Sequence, residues 1–306
     1  MARQLLLFGL LAAVLLSEFI VPIICAEWTY SGMNDPDKWP GVCRTGQYQS
    51  PIDIGEMGIQ EISFEPLAMI NYEGYFNMTL TNNGHTVQLT MHHPNRGTIT
   101  AGGLQGVYYL EQAHFHWPSE HTLLGKKYPL ELHFVHYDRK YLSVEKALFD
   151  PEGVAVLAVI FHESPNRNTM LDPLIEGVQS VGVKTYTSKG LMRLQKLQTL
   201  LPQDTNKFYR YHGSLTTPGC NESVVWTIFT ETIPISKDQI QAFRQVKTKS
   251  GAFLERNNRP LQQQNDRVLY FQTSPAPRVE WISAGSGRLQ AEVLLMFAFV
   301  IAVGLM

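Results

Sequence analysis

Short runs in which apolar and polar residues alternate recur along the chain. Phe76 to Thr81, Thr86 to Met91, Tyr108 to Trp117 and Leu130 to Tyr137 each read as a strand with one face turned to a core. Val154 to Phe161 is apolar throughout, the mark of a central strand covered on both faces. Asn-Gly, Gly-Gly and Pro punctuate the intervals. Helical periodicity is confined to Met170–Val178 and to Lys237–Lys247, the latter entered through Ser236. Residues 27–56, rich in Trp, Gly, Pro and Asp, read as a loop-rich wrap. There is no internal repeat and no long linker. The pattern predicts a mainly β (α+β) fold. A single domain would be built on a large, mostly antiparallel, twisted central sheet with short peripheral helices.

The two ends depart from this pattern. Residues 1–26 carry Arg3, an apolar run from Leu5 to Leu16 and a closing Ile-Cys-Ala, which predicts a secretory signal peptide cut after Ala26. At the other end, the small residues Ser283, Ala284, Gly285, Ser286 and Gly287 precede a polar spacer, Arg288 to Glu292. A charge-free tail, Val293 to Met306, follows. That order predicts a glycosylphosphatidylinositol (GPI) attachment signal, with any of the five small residues as candidate. The tail is shorter than the about 20 residues a spanning helix needs. The expected organisation is a leader over 1–26, a folded domain over 27–283, and a spacer and hydrophobic tail over 284–306. The protein would pass through the secretory pathway to the outer face of the plasma membrane and stay there by a lipid anchor.

This compartment changes the reading of other residues. Of the three cysteines, Cys25 would leave with the leader, so Cys43 and Cys220 remain as one candidate disulfide. Asn77-Met-Thr79 and Asn221-Glu-Ser223 are glycosylation acceptors. A net charge of −2 gives no sign of a nucleic-acid partner.

The candidate chemistry lies between residues 111 and 136. His114 and His116 are one residue apart on a predicted strand, so their side chains share a face. On the next strand Glu131, His133 and Val135 share a face, and antiparallel pairing can bring His133 beside the first two histidines. Three neutral imidazoles with an open fourth position make a catalytic zinc site. Gln112 and Glu131, each two residues before a candidate ligand, can accept the ring N–H turned away from the metal. By themselves His85, in Asn82-Asn83-Gly84-His85, reads as an ordinary turn histidine, and Ser214 to Cys220 as a polar loop.

Taken together these residues resemble the α-class carbonic anhydrases over nearly all of 27–283. The resemblance rests on Trp28-Thr-Tyr30, Gln49-Ser-Pro-Ile52, Asn83-Gly-His85 and Gln112-Ala-His-Phe-His-Trp117. It continues in Ser119-Glu-His121, Glu131-Leu-His133, Gly213-Ser-Leu-Thr-Thr-Pro218 and Asn258-Arg-Pro260. It is similar above all to the secreted and GPI-anchored members, where the Cys43–Cys220 pair falls at their disulfide. The resemblance implies Zn2+ held by His114, His116 and His133. It implies that Thr216 accepts a hydrogen bond from the attacking hydroxide and donates to Glu120, and that Thr217 contacts bicarbonate or a water. Val135, Val156, Leu215 and Trp226 would form the apolar wall that receives carbon dioxide. His85 would be the proton shuttle, with Tyr30, Asn83 and Gln88 along the water path. Gln88 departs from the asparagine of some fast members. The implied reaction is reversible hydration of carbon dioxide to bicarbonate, with buffer as proton acceptor. The alternatives are a non-catalytic carbonic-anhydrase-like binding module and a zinc esterase. No residue pattern marks a bicarbonate-transporter neighbour.

Overall fold

The computed structural model describes residues 28–55, 58–92, 96–191 and 195–273. The predicted leader, the five candidate attachment residues and the tail lie outside the described residues. No helix among the described residues is long and apolar enough to cross a membrane.

The alternating runs form the strands of one mixed sheet. In chain order its long path comprises β1 (Ile59–Ile62), β2 (Tyr75–Asn82), β3 (Val87–His92), β4 (Tyr108–His116) and β5 (Leu130–Asp138). It continues with β6 (Val154–Ser164), β7 (Thr187–Gly190), β8 (Phe208–Gly213), β9 (Val224–Phe229) and β10 (Leu269–Gln272). Their order across the sheet is β7-β2-β3-β4-β5-β6-β9-β8-β10-β1. Neighbours run antiparallel except at β6–β9 and β10–β1, which are parallel. Shorter strands flank this path.

Alternation sorts the side chains into two cores. Ala113 and Phe115 on β4, Leu132 and Phe134 on β5, and Leu157 and Val159 on β6 enter the larger core. Val135, Val156, Ala158, Tyr211 and Trp226 enter a smaller one on the opposite face. Both faces of β6 are buried from Val154 to Phe161, which is why that segment has no polar position. Truncating a fully buried phenylalanine such as Phe115 or Phe134 to alanine would cost about 3–5 kcal/mol.

Two helices close the larger core. α1 (Asp172–Gly182) follows a short 3-10 turn, Thr169–Leu171, and has Pro173 in its first turn. It runs past the predicted end at Val178 because Val181 and Gly182 remain buried. α2 (Lys237–Arg244) starts in a capping box: Ser236 Oγ accepts from Gln239 N, and Gln239 Oε1 accepts from Ser236 N. It stops short of the predicted Lys247, which bridges Phe253 as an isolated β pair.

The N-terminal wrap is fastened to the rest by Cys43–Cys220, across a sequence separation of 177 residues. Arg259 reinforces the same junction. Its guanidinium donates to Gln49 Oε1 at 2.9 Å, Ser50 O at 2.8 Å and Cys43 O at 2.9 Å. Closing so long a loop contributes about 5 kcal/mol on the chain-entropy argument. The double variant Cys43→Ser/Cys220→Ser should therefore lose several kcal/mol in urea unfolding. Mass spectrometry of the mature protein should find no free thiol. Two free thiols in an unreduced, fully active preparation would contradict this junction.

Candidate metal centre

The antiparallel register of β4 and β5 sets His133 directly opposite His114, with Glu131 opposite His116. One ligand atom from each of His114, His116 and His133 lies within 4.8 Å of the other two. Each ring is held by one oxygen on its outer side. His114 Nδ1 meets Gln112 Oε1 at 2.9 Å, His116 Nδ1 meets Asn257 O at 2.7 Å, and His133 Nε2 meets Glu131 Oε1 at 2.6 Å. A main-chain carbonyl and a carboxylate only accept, so the ring nitrogens facing them carry the protons. The inner nitrogens, Nε2 of His114, Nε2 of His116 and Nδ1 of His133, are left with lone pairs. Among the described residues His116 Nε2 is buried without a hydrogen-bond partner, and so is Glu120 Oε2, 3.5 Å away. Buried polar atoms are rarely left unpaired. Two such atoms side by side among imidazole lone pairs suit a cation and a water on it, and the donor set fits zinc.

Electrostatics keep the histidines neutral. Burial, and then the neighbouring His116 and His133, push His114 well below its ordinary value. Burial brings His116 down to about 4 and also lowers His133, where Glu131 opposes the shift. Burial alone would protonate Glu131, but the charges and hydrogen bonds of His121 and His133 outweigh it and hold its carboxyl well below the usual range. Four N–H groups converge on it: Glu120 N, His121 N, His121 Nδ1 and His133 Nε2, at 2.6–2.9 Å. Glu120 differs. Burial pushes it up to about 7, while His133, the Arg259 N–H and Thr216 pull it down. Arg259 N donates to its Oε1 at 2.8 Å.

The loop carrying Thr216 is fixed from several sides. Leu215 N donates to Asn221 O and Cys220 N to Thr217 O, both at 3.0 Å. Trp226 Nε1 donates to Ser214 O at 3.2 Å. Gly213 leads into the loop, where an added Cβ would collide with Ser50 Oγ. Thr216 is buried and Thr217 half-buried. Val135, Val156 and Trp226 are consecutive ladder partners across β5, β6 and β9. They make one apolar row, with Leu215 packed against the same cluster and the Trp226 ring 4.8 Å from that of His133.

On the other side, Gln88 pairs with His114 across β3 and β4. His85 sits in a turn made possible by Gly84, at φ +89°. Asn83 Oδ1 closes that turn by accepting from His85 N and Thr86 N. The His85 ring is stacked on Trp28, with centroids 3.8 Å apart, and Trp28 meets Tyr30 edge-on at 5.3 Å. Trp28, Tyr30, Asn83 and His85 line a cavity of about 650 Å³ whose walls do not include the three central histidines. Burial, then the charge of Glu120, pushes the Tyr30 hydroxyl up.

Three residues that sequence reasoning did not single out complete the centre. Asn257 holds His116 through its main-chain oxygen, a contact that its side-chain type does not signal. Its side chain accepts from Trp117 N at 2.7 Å and donates to His85 O and Phe115 O. Arg259 anchors Glu120. His121 links Glu131 to Tyr211, whose hydroxyl reaches Ser50. Arg259 and His121 lie inside recognised motifs, and that was the available signal.

A family model described as eukaryotic-type carbonic anhydrase matches residues 34–273. The chain belongs to the eukaryotic-type carbonic anhydrase family. A Caenorhabditis elegans protein provisionally named carbonic anhydrase 5 is 33% identical over 291 residues, covering 91% of this chain and 92% of the relative. Carbonic anhydrase 6 of Bos taurus is 34% identical, covering 83% of each chain. Carbonic anhydrase 12 of Homo sapiens is 34% identical, covering 81% of this chain and 74% of its own. Carbonic anhydrases are zinc-dependent, and this chain has the histidines that could hold the metal.

If the outer acceptors orient the three candidate ligands, Glu131→Gln should weaken zinc affinity about 10- to 100-fold. Gln112→Ala should cost less, because it removes a neutral, half-exposed partner. Competition with a chromophoric chelator reads both. Equal affinity in wild type and Glu131→Gln would contradict the orienting role.

Proposed function

We propose that the chain is a zinc carbonic anhydrase that hydrates carbon dioxide reversibly on the outside of the cell. The observation that carries this reading is the convergence of three imidazole lone pairs beside the unpartnered Glu120 Oε2. His114, His116 and His133 would hold the metal. Bound zinc supplies Lewis-acid activation of a water, lowering its pKa to about 7.

The remaining roles fall to the chain itself. Glu120 is held by the Arg259 N–H and acts on Thr216, so the Thr216 proton is drawn to the carboxylate. The Thr216 oxygen is then free to accept from the nucleophile and orient it. The row Val135–Val156–Trp226, with Leu215, offers carbon dioxide an apolar wall without competing donors. Thr217, at the half-buried edge of the loop, would contact bicarbonate. His85 would take the proton out to buffer, with Tyr30, Asn83 and Gln88 ordering water between. A histidine suits that task because it titrates near neutral pH. A non-catalytic binding module would have no use for three ligand rings each oriented by its own acceptor.

The decisive assay is carbon dioxide hydration by the secreted chain, before and after chelation and on adding zinc back. Activity should vanish and return. Undiminished turnover without zinc would sink the proposal. His85→Ala should slow turnover by about one to two orders of magnitude in weak buffer. Imidazole should restore much of it, and a variant as fast as wild type in weak buffer would remove His85 from the proton path.

We also infer the leader, a lipid anchor on a residue between Ser283 and Gly287, and glycans at Asn77 and Asn221. Asn77 is exposed on β2, and Asn221 is half-exposed beside the Thr216 loop. Phosphatidylinositol-specific phospholipase C should release active enzyme from intact cells. Retention on the membrane with a peptide containing Phe297 still attached would overturn the anchor.

A further inference from the structure

A second polar site lies on the face of the sheet turned away from the histidines. Along β8, Tyr211 pairs with Trp226 and looks towards the metal centre, so Arg210, one residue earlier, looks the other way. Arg210 is only 2% exposed. Its Nε donates to Thr227 Oγ1 at 3.2 Å, but its Nη2 is buried with no hydrogen-bond partner among the described residues. The guanidinium lies over the rings of Phe64 and Phe208, 5.7 and 5.1 Å from their centroids. Burial pulls it down to about 10, so it stays charged at neutral pH. A buried charged donor left unpaired is costly.

Arg210 faces a cavity of about 180 Å³ lined also by Ile62, Phe64, Leu104, Glu152 and Tyr270. That is several times the about 30 Å³ share of one water. Most of the lining is apolar. Glu152 is already engaged by His212 Nε2 at 3.0 Å, and its negative charge disfavours a doubly charged guest. We propose that this pocket is a non-catalytic binding site for a small planar oxyanion of single charge, a monocarboxylate or bicarbonate. One oxygen would accept from Arg210 Nη2, and any short apolar body would lie against Phe64, Leu104 and Tyr270. The inference is independent of the metal centre.

The test follows the side-chain Nη signals of Arg210 by nuclear magnetic resonance in the mature, zinc-loaded chain. Propionate and bicarbonate are titrated separately at constant ionic strength. The signals are assigned by their loss in Arg210→Met. An anion at the metal lies on the other face and leaves them in place. Saturable shifts with either anion support the site and rank its source. For carboxylates, each added methylene that is buried should tighten binding about fourfold. Leu104→Trp, which fills the cavity and keeps the arginine, should abolish the response. No shift with either anion, or an undiminished response in Leu104→Trp, would overturn the proposal.

Discussion

Glu131 is a carboxylate with no exposure to solvent, and a buried charge is tolerated only if its hydrogen bonds are filled. Four N–H groups fill them, one from His133 on the same strand and three from the neighbouring Glu120–His121 segment. His133 Nε2 fixes a candidate ligand. The main-chain N–H groups of Glu120 and His121 fix the segment that carries Glu120. The His121 ring passes the constraint to Tyr211, then to Ser50 Oγ, which accepts from Ser214 N at the root of the Thr216 loop. One buried charge thus ties β5, the Ser119–His121 segment, β8 and the loop into a single unit. Removing it would leave several buried donors unpaired at once, which is why a substitution there reaches beyond the metal.

The sheet supplies the second half of the arrangement. Its larger face is filled with aliphatic and aromatic groups under α1 and α2 and gives the rigidity. Its other face carries, row by row, Gln88–His114–His133 and then Val135–Val156–Trp226. The candidate metal ligands and the apolar row therefore stand on adjacent registers of the same strands. Sites built on strands hold their geometry more closely than sites on loops. The loop element that matters, Thr216, is pinned by a disulfide, by Trp226 and by a glycine that admits Ser50.

Much of this was legible in the sequence because strand alternation has a period of two. His114 and His116 had to share a face, and Val154–Phe161 had to be covered on both sides. Gln112 and Glu131 were legible for the same reason, each two residues from a candidate ligand. Strand order was not, since it is decided by pairings far apart in the chain, such as the parallel contact of β6 with β9. Helix ends shifted by several residues where tertiary burial overrode local propensity, at Val181 and Gly182 in α1. Asn257 escaped notice because it acts through a main-chain oxygen. Arg210 escaped because nothing in a strand sequence distinguishes an exposed arginine from one buried over two phenylalanines.

The geometry leaves three oriented lone pairs and one carboxylate oxygen facing a common point. Zinc K-edge X-ray absorption of the mature chain reads that point directly. We expect one zinc per chain with three imidazole nitrogens and one oxygen at about 2.0–2.1 Å. A chain that takes up no zinc, or a spectrum with fewer than three imidazoles, would contradict the metal centre.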